Sequence, residues 1–199
     1  MNSNKQLMIL VSLCLITFPL VAETSQSFFQ KVASIKNDLY KLSPQELCTA
    51  LNISVQQTPV ITADQLKQEM SSNANLLVIN VLPEKYYKDC HITGSINAPL
   101  KDLVDRAQSW NHSQRIVVYC ALDECDAGEK GSILLGCMGF TNVVDYKGGI
   151  KEWYQLNYPT QGPALSEYLH EKSTHKGYEC YPATLVCSNQ IRWINRYQN

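Results

Sequence analysis

The sequence lacks an excess of charge of either sign. It has 17 lysines and arginines against 18 aspartates and glutamates, so the formal net charge of the 199 residues is -1. A chain this close to neutral has no global field to attract nucleic acid or an anionic membrane surface, and we expect no nucleic-acid partner. Hydrophobic residues make up 45% of the chain and charged residues 18%, which argues against disorder and indicates a globular core.

A metal-binding pattern is also lacking. The four histidines are scattered, and no pair of cysteines has zinc-finger spacing with histidines nearby. We therefore expect no metal and no cofactor. Internal repeats and low-complexity tracts are missing too, which leaves one domain of ordinary size with extensions.

The first 22 residues have the pattern of a signal peptide. Lys5 supplies a positive charge, residues 8–22 are almost wholly apolar, and Ala22 is a small residue at the expected cleavage position. We expect a periplasmic or secreted protein with no stable membrane span after processing. The alternative is an uncleaved anchor, because the apolar stretch is near the lower length limit of a spanning helix.

Cysteine, in contrast, is abundant. Without residues 1–22 the chain keeps seven cysteines, and an odd number leaves at least one thiol unpaired within a monomer. An oxidising compartment would permit disulfides. We expect Cys180 or Cys187 to form one, either with each other or with Cys48.

Residues 23–60 are predicted to form a helical N-terminal extension. Apolar residues between 28 and 39 recur at helical spacing, and Ser43 to Glu46 form a capping box that begins a helix through Leu51. The apolar stripe could bind a partner protein, although packing on the same domain is the simpler interpretation.

Strands alternate with helices from residue 61 onward. Apolar, β-branched runs at 76–81, 115–120 and 142–146 predict buried strands, and the segments between them have helical spacing. This alternation predicts an α/β domain at 61–162 with a mainly parallel central sheet flanked by helices. Residues 163–199, which contain Cys180 and Cys187, form a C-terminal extension without a recognisable catalytic pattern.

Cys120 has the most informative setting in the chain. The run Ile116 to Cys120 predicts a strand that delivers this thiol into a loop before a helix beginning near Ala127. Unpaired backbone N–H groups and the helix dipole would stabilise a thiolate, a persulfide or a bound oxyanion there. Taken alone, a cysteine at the end of a buried strand is more often a small core residue.

Several ordered motifs resemble the rhodanese-like family over roughly residues 61–162. The opening strand matches at 77–80, residues 90–97 resemble the family's Gly-His-Ile-Pro-Gly-Ala motif, and the strand before Cys120 matches the active-site strand. Gly139 to Val143 and Gly148 to Trp153 match the closing pattern. The chain is therefore identified as an exported bacterial member of this family with a Cys-x4-Cys loop.

The resemblance implies a thiosulfate or persulfide sulfurtransferase. Cys120 would be the nucleophile that takes sulfane sulfur from a small donor or protein thiol and holds it as a persulfide. The loop amides would stabilise that sulfur, and the following helix would lower the pKa of the thiol; the loop consists of Ala121, Leu122, Asp123, Glu124, Cys125, Asp126 and Ala127.

The sequence departs from the family at several positions. Asn80 and Leu82 occupy places where the family often has aspartate and arginine, and the loop lacks the usual arginine. Asp123, Glu124, Asp126 and Glu129 stand there against Lys130 alone. These carboxylates would raise the pKa of the thiol and repel thiosulfate.

Two alternatives follow from these departures. The first is a rhodanese-fold binding module with little or no activity, which would contact a protein partner through the N-terminal helices or the C-terminal tail. The second is a phosphatase or arsenate-binding role, because the loop resembles that of the related dual-specificity phosphatases and arsenate reductases. Asp126 stands where those enzymes carry an arginine and would repel an anionic substrate, which argues against this role.

Cys125 lies five residues after Cys120 in the same loop. It could act as a resolving thiol that forms a disulfide with an oxidised or persulfidated Cys120. Spacing alone leaves equally open that its side chain points away.

Overall fold

The structure is a computed structural model that describes residues 26–54 and 57–171. The expected signal peptide at 1–22, together with Cys180 and Cys187 of the tail, lies outside the described residues. Processing and a tail disulfide therefore stay predictions. No helix within the described ranges is long and apolar enough to cross a membrane.

Eight helices and six strands follow one another in the described residues. The helices are α1 (26–35), α2 (Pro44–Leu51), α3 (Ala63–Ser72), α4 (Glu84–Asp89), α5 (Leu103–Ala107), α6 (Ala127–Cys137), α7 (Gly149–Gln155) and α8 (Glu167–His170). The strands are β1 (Leu77–Asn80), β2 (His91–Ile92), β3 (Ile96–Asn97), β4 (Ile116–Tyr119), β5 (Val143–Tyr146) and β6 (Thr160–Gln161).

Four of the strands form a parallel sheet in the order β3-β1-β4-β5. All four residues of β4 are buried, which explains its continuous apolar run, because both faces of the sheet are covered. Strands β2 and β6 form a separate antiparallel pair. The predicted α/β fold with a mainly parallel central sheet flanked by helices is confirmed.

The sheet separates two hydrophobic cores. Side chains of β4 alternate between them: Val118 and Cys120 face α1, α2, α5 and α6, whereas Val117 and Tyr119 face α3, α7 and α8. This alternation follows from the two-residue repeat of a strand. Cys120 therefore lies on the same face of the sheet as the N-terminal helices.

The predicted capping box of α2 is present, and a second capping box begins α3. The Ser43 hydroxyl accepts a hydrogen bond from the Glu46 amide at 3.2 Å, and Glu46 accepts one from the Ser43 amide at 2.7 Å. Thr62 and Gln65 make the equivalent pair at the start of α3. Each box satisfies two backbone N–H groups that a helix start leaves without intrahelical partners.

The apolar stripe of the N-terminal segment packs on the same domain. Val32, Leu39, Leu47, Cys48 and Leu51 are all buried in the core that contains Cys120. Residues 26–54 therefore form part of the domain's core on this face, rather than a separate appendage.

Two polar side chains, Tyr40 and Lys130, connect this segment to the domain beside the cysteine loop. The Tyr40 hydroxyl donates to the Val81 carbonyl at 2.9 Å and accepts from the Leu100 amide at 3.1 Å. The fully buried ammonium of Lys130 donates to the Leu42 carbonyl at 2.8 Å. Such bonds satisfy polar groups that burial would otherwise leave costly.

Candidate active site at the cysteine loop

Cys120 lies one residue beyond β4, and its side chain is only 2% exposed. Its sulfur lies 2.9 Å from the Cys125 carbonyl oxygen and 3.6 Å from the Leu122 carbonyl oxygen, so both are within reach of the single S–H donor. Residues 121–126 curl around the sulfur, and α6 begins at Ala127. The predicted arrangement of strand, loop and helix start is present.

A glycine turn fixes the loop from outside. Gly149 has φ +62°, and a Cβ built on it would lie 2.6 Å from the Ala121 carbonyl carbon and the Leu122 nitrogen. The next residues hold the loop backbone, because the Ile150 amide donates to the Cys120 carbonyl at 3.0 Å and the Lys151 amide to the Ala121 carbonyl at 2.9 Å. A side chain at position 149 would both strain the turn and displace the loop.

The two cysteines of the loop are brought together as free thiols. Their side chains share a hydrogen bond, which raises the pKa of Cys120 and lowers that of Cys125. The expectation that Cys125 lies within reach of Cys120 therefore agrees with the structure. The interpretation in which its side chain points away is wrong.

The Cys125 sulfur accepts more backbone hydrogen bonds than the Cys120 sulfur does. The amides of Ala121 and Ala127 both donate to Cys125 and lower its pKa, whereas only Gly128 donates to Cys120. Burial raises the pKa of Cys120 well above its ordinary value. The helix start lowers the pKa of Cys120 through the Gly128 amide, as expected, but burial outweighs this effect, and the net lowering occurs at Cys125.

The charges around the loop also differ from the expectation. The Asp126 carboxylate pairs with Lys130 at 2.7 Å, as its i+4 position allows. Glu129 forms an ion pair with Lys147 at 2.6 Å. Lys147 follows β5 directly and lies outside the loop segment in the sequence. Lys130 is therefore not the only cation that balances the loop carboxylates.

Asp145 is the site residue that the sequence analysis missed. It is 1% exposed, and Lys147 Nζ lies 3.3 Å from Oδ2. Burial raises the pKa of its carboxyl to about 6, against the lowering effect of Lys147. Asp145 in turn raises the pKa of Cys120. The sequence feature that could have indicated Asp145 is its position as the single acidic residue in the otherwise uncharged strand 143–146, because an acidic side chain is rarely fully buried unless it is paired.

Asn80 is buried at the end of β1, and its Oδ1 accepts a hydrogen bond from the Leu82 amide at 2.9 Å. Asn97 Nδ2 donates to the Leu82 carbonyl at 2.8 Å. These amides shape the chain where it leaves the sheet beside the loop. They carry no charge that could attract an anionic donor.

The remaining described cysteines are packed thiols. Cys48 and Cys90 are buried, and burial raises the pKa of Cys90 to about 11. Cys137 is partly buried, and both it and Cys48 are free thiols. No disulfide to Cys48 is formed in the described part of the chain. There, no group of three or more His, Cys, Asp or Glu side chains is arranged to hold a metal ion.

Comparisons with known proteins show which family the domain around this loop resembles. Residues 62–156 match the family model "Rhodanese-like domain". The "Putative sulfur carrier protein YrkF" of Bacillus subtilis is 26% identical over 98 residues, which cover 48% of this chain and 50% of that protein. The chain thus spans about half the length of this curated relative.

Solved structures share the fold. The BH2092 protein of Bacillus halodurans superposes with a TM-score of 0.50 and 23% identity over 54% of this chain and 79% of that chain. The rhodanese-like domain of the Alr3790 protein from Anabaena sp. has a TM-score of 0.49 and 29% identity, over 66% of this chain and 97% of that chain. Residues 62–156 of the present chain match the rhodanese-like domain model, and this range contains the whole cysteine loop.

Proposed function

We propose that this domain is a sulfurtransferase that carries sulfane sulfur as a persulfide on Cys120. The observation that carries the proposal is the position of Cys120 just beyond a central parallel strand, with its sulfur against the first turn of α6, inside the family match. The relative described as a sulfur carrier supports the same chemistry at the level of the family.

The reaction has two displacements. The Cys120 thiolate attacks the outer sulfur of a donor, a new S–S bond forms, and the donor's S–S bond breaks with the electron pair leaving on the donor fragment. A nucleophilic acceptor, such as a thiolate, then attacks the outer sulfur of the Cys120 persulfide and regenerates the thiolate. The donor is a small sulfane compound or a persulfidated protein thiol.

The loop charges favour a donor with little negative charge. Asp123 and Glu124 lie in the same six-residue loop, whereas Asp126 is paired with Lys130, and a dianion such as thiosulfate meets repulsion as it approaches the two loop acids. A persulfide, which carries less negative charge, meets less. We therefore propose that persulfide donors are used more efficiently than thiosulfate.

Cys125 gives the site a second function in redox chemistry. A Cys120 persulfide placed beside the Cys125 thiolate would be resolved when that thiolate attacks the inner sulfur. A Cys120–Cys125 disulfide forms, and the outer sulfur leaves as hydrosulfide. The contact between the two thiols supports this coupling.

We further propose that the protein acts in the periplasm or outside the cell. This proposal rests on the pattern of residues 1–22 alone. N-terminal sequencing of the protein recovered from a periplasmic fraction tests it. A mature chain beginning near Glu23 supports export, and recovery of the uncleaved chain from the cytoplasm contradicts it.

The test of sulfur transfer is persulfide loading. The reduced protein is incubated with thiosulfate or with a neutral persulfide donor, and its intact mass is followed for a gain of one sulfur atom. Cys120→Ser should abolish the gain, because a serine hydroxyl is hardly ionised at neutral pH and cannot hold sulfane sulfur. Cys137→Ser, outside the loop, is the matched control and should load like the parent.

The competing proposal is a rhodanese-fold binding module. It is favoured by the 2% exposure of Cys120 and by the N-terminal segment packed over the same core. Cys125→Ser cannot resolve a Cys120 persulfide into a loop disulfide, so it retains any sulfur that Cys120 gains. If this variant never gains sulfur from either donor, the alternative is supported. Loading of Cys120→Ser at the parental rate would show that the nucleophile is another residue.

A further inference from the structure

A buried carboxylate lies behind the cysteine loop. Asp145 pairs in register with Val118 across the parallel sheet, so its side chain points to the face that holds Val118 and Cys120. Since Cys120 is two residues beyond Val118, Asp145 and Cys120 are diagonal neighbours on one face.

The Cys120 sulfur and the Asp145 carboxylate both lie against Gly128 in the first turn of α6. The Gly128 amide donates to the Cys120 sulfur, and the Asp145 carboxylate lies against the Gly128 Cα: a Cβ built there would be 2.3 Å from Oδ1. The carboxylate thus lies beside the residue whose amide donates to the Cys120 sulfur, and its negative charge opposes a thiolate there.

The charge of Asp145 is incompletely balanced. Lys147 lies 3.3 Å from Oδ2 but is shared with Glu129 on α6, at 2.6 Å. Within the described residues, no hydrogen bond of normal geometry reaches either Asp145 oxygen. Because its charge is only partly neutralised and lies in a buried, low-dielectric environment, the Asp145 carboxylate repels a negative charge on the nearby Cys120 sulfur.

The remaining surroundings of Cys120 also disfavour a negative charge. Its thiol faces the carbonyls of Leu122 and Cys125, and the neutral phenol of Tyr40 lies on the side of the N-terminal segment. Cys125 is more exposed, and its sulfur accepts two backbone amides. Asp126, the nearest loop acid to Cys125, is paired with Lys130.

We propose that Asp145 is a positioning residue that keeps Cys120 protonated, so that Cys125 carries the thiolate of the resting pair. The inference deepens the proposed function and rests on it: the Cys120 thiolate that attacks a donor forms when the proton shared by the two thiols moves from Cys120 to Cys125. Its test, however, measures thiol ionisation and does not require sulfur transfer.

The experiment follows alkylation of each cysteine by iodoacetamide between pH 6 and 10, with peptide mapping by mass spectrometry. The thiolate displaces iodide and forms an S–C bond, so the rate follows the ionised fraction. Burial of a thiol lowers the rate at every pH, whereas a change in ionisation moves the midpoint of the pH profile. The midpoint therefore separates accessibility from charge.

In the parent protein we expect the Cys125 midpoint below that of an ordinary cysteine, about pH 8.5, and the Cys120 midpoint above it. In a Cys125→Ser background, adding Asp145→Asn should lower the Cys120 midpoint by about one pH unit and raise its rate at pH 7.5 about tenfold. Glu124→Gln, which removes an exposed carboxylate from the same loop, should change that rate less than about twofold.

Two outcomes would overturn the proposal. A folded Asp145→Asn variant with the parental Cys120 midpoint would show that the carboxylate does not control this thiol. A parent protein whose Cys120 midpoint lies below that of Cys125 would refute the assignment without any variant at position 145. Loss of sulfur loading with these alkylation profiles intact would contradict the proposed function but not the thiol assignment.

Discussion

The contact between Gly128 and Asp145 makes a direct prediction for the Gly128→Ala variant. Gly128 is buried in the first turn of α6, and an added Cβ would lie 2.3 Å from Asp145 Oδ1 and 3.2 Å from its Cγ. Asp145 has a short side chain on a strand and is 1% exposed, so it cannot swing into solvent. The added methyl group must displace the carboxylate, the helix start or both.

The magnitude follows from two opposing effects. Replacing glycine by alanine in a helix stabilises by up to about 1 kcal/mol, whereas overpacking a closed site costs about 1–3 kcal/mol. Movement of Asp145 would also weaken its ion pair with Lys147. We expect the free energy of unfolding of Gly128→Ala to fall by about 2 kcal/mol.

Gly136 in the same helix provides the matched control. A Cβ built there meets nothing within 4 Å, so Gly136→Ala should be stabilised by about 0.5–1 kcal/mol. Urea unfolding monitored by circular dichroism measures both variants, and the transition midpoint of Gly128→Ala should be lower by roughly 1 M. If Gly128→Ala is as stable as Gly136→Ala, the close packing of Asp145 against α6 is wrong.

Two further predictions concern buried charges. Lys130→Met removes a fully buried ammonium and leaves Asp126 and the Leu42 carbonyl without their partner, so the free energy of unfolding should fall by about 3 kcal/mol. The control Lys88→Met removes one partner of an exposed pair with Glu84 and should change the free energy of unfolding by less than about 0.5 kcal/mol. Equal stabilities of the two variants in urea would contradict the buried pairing. Because the pKa of Asp145 is raised from 3.8 to about 6, the folded state binds its proton more tightly than the unfolded state, and the stability this provides is lost as pH rises through 6. Asp145→Asn should therefore gain stability over the parent between pH 4 and pH 8, by up to about 3 kcal/mol, and a pH-independent difference in urea unfolding would refute the raised pKa.

Local patterns in the sequence were sufficient for most of the fold. The capping boxes at Ser43 and Thr62 involve contacts three residues apart, so they are encoded in four consecutive residues. The strands β1, β4 and β5 are short apolar runs between helical segments, and such an alternation has few arrangements other than a covered parallel sheet. Exact ends were less predictable, and α5, for example, covers only the five residues Leu103–Ala107 of the segment between β3 and β4.

The placement of Cys120 was predictable for the same reason, because its position relative to β4 and α6 depends on neighbouring residues alone. The ordered motifs from residue 77 to Trp153 supplied the family resemblance that agrees with the match at 62–156. Neither source of information could show how far the sulfur is buried. That depends on residues 26–54, which pack over it from elsewhere in the chain.

The ionisation of the two thiols was decided only by the tertiary structure. The sequence displayed the loop carboxylates next to Cys120, yet the carboxylate that raises the pKa of Cys120 comes from β5, 25 positions further along the chain. The register between β4 and β5 places Asp145 on the same face of the sheet as Cys120, and glycine at position 128 leaves room for its carboxylate beside α6. Electrostatic energy depends on distance through space and on burial, and a linear pattern contains neither.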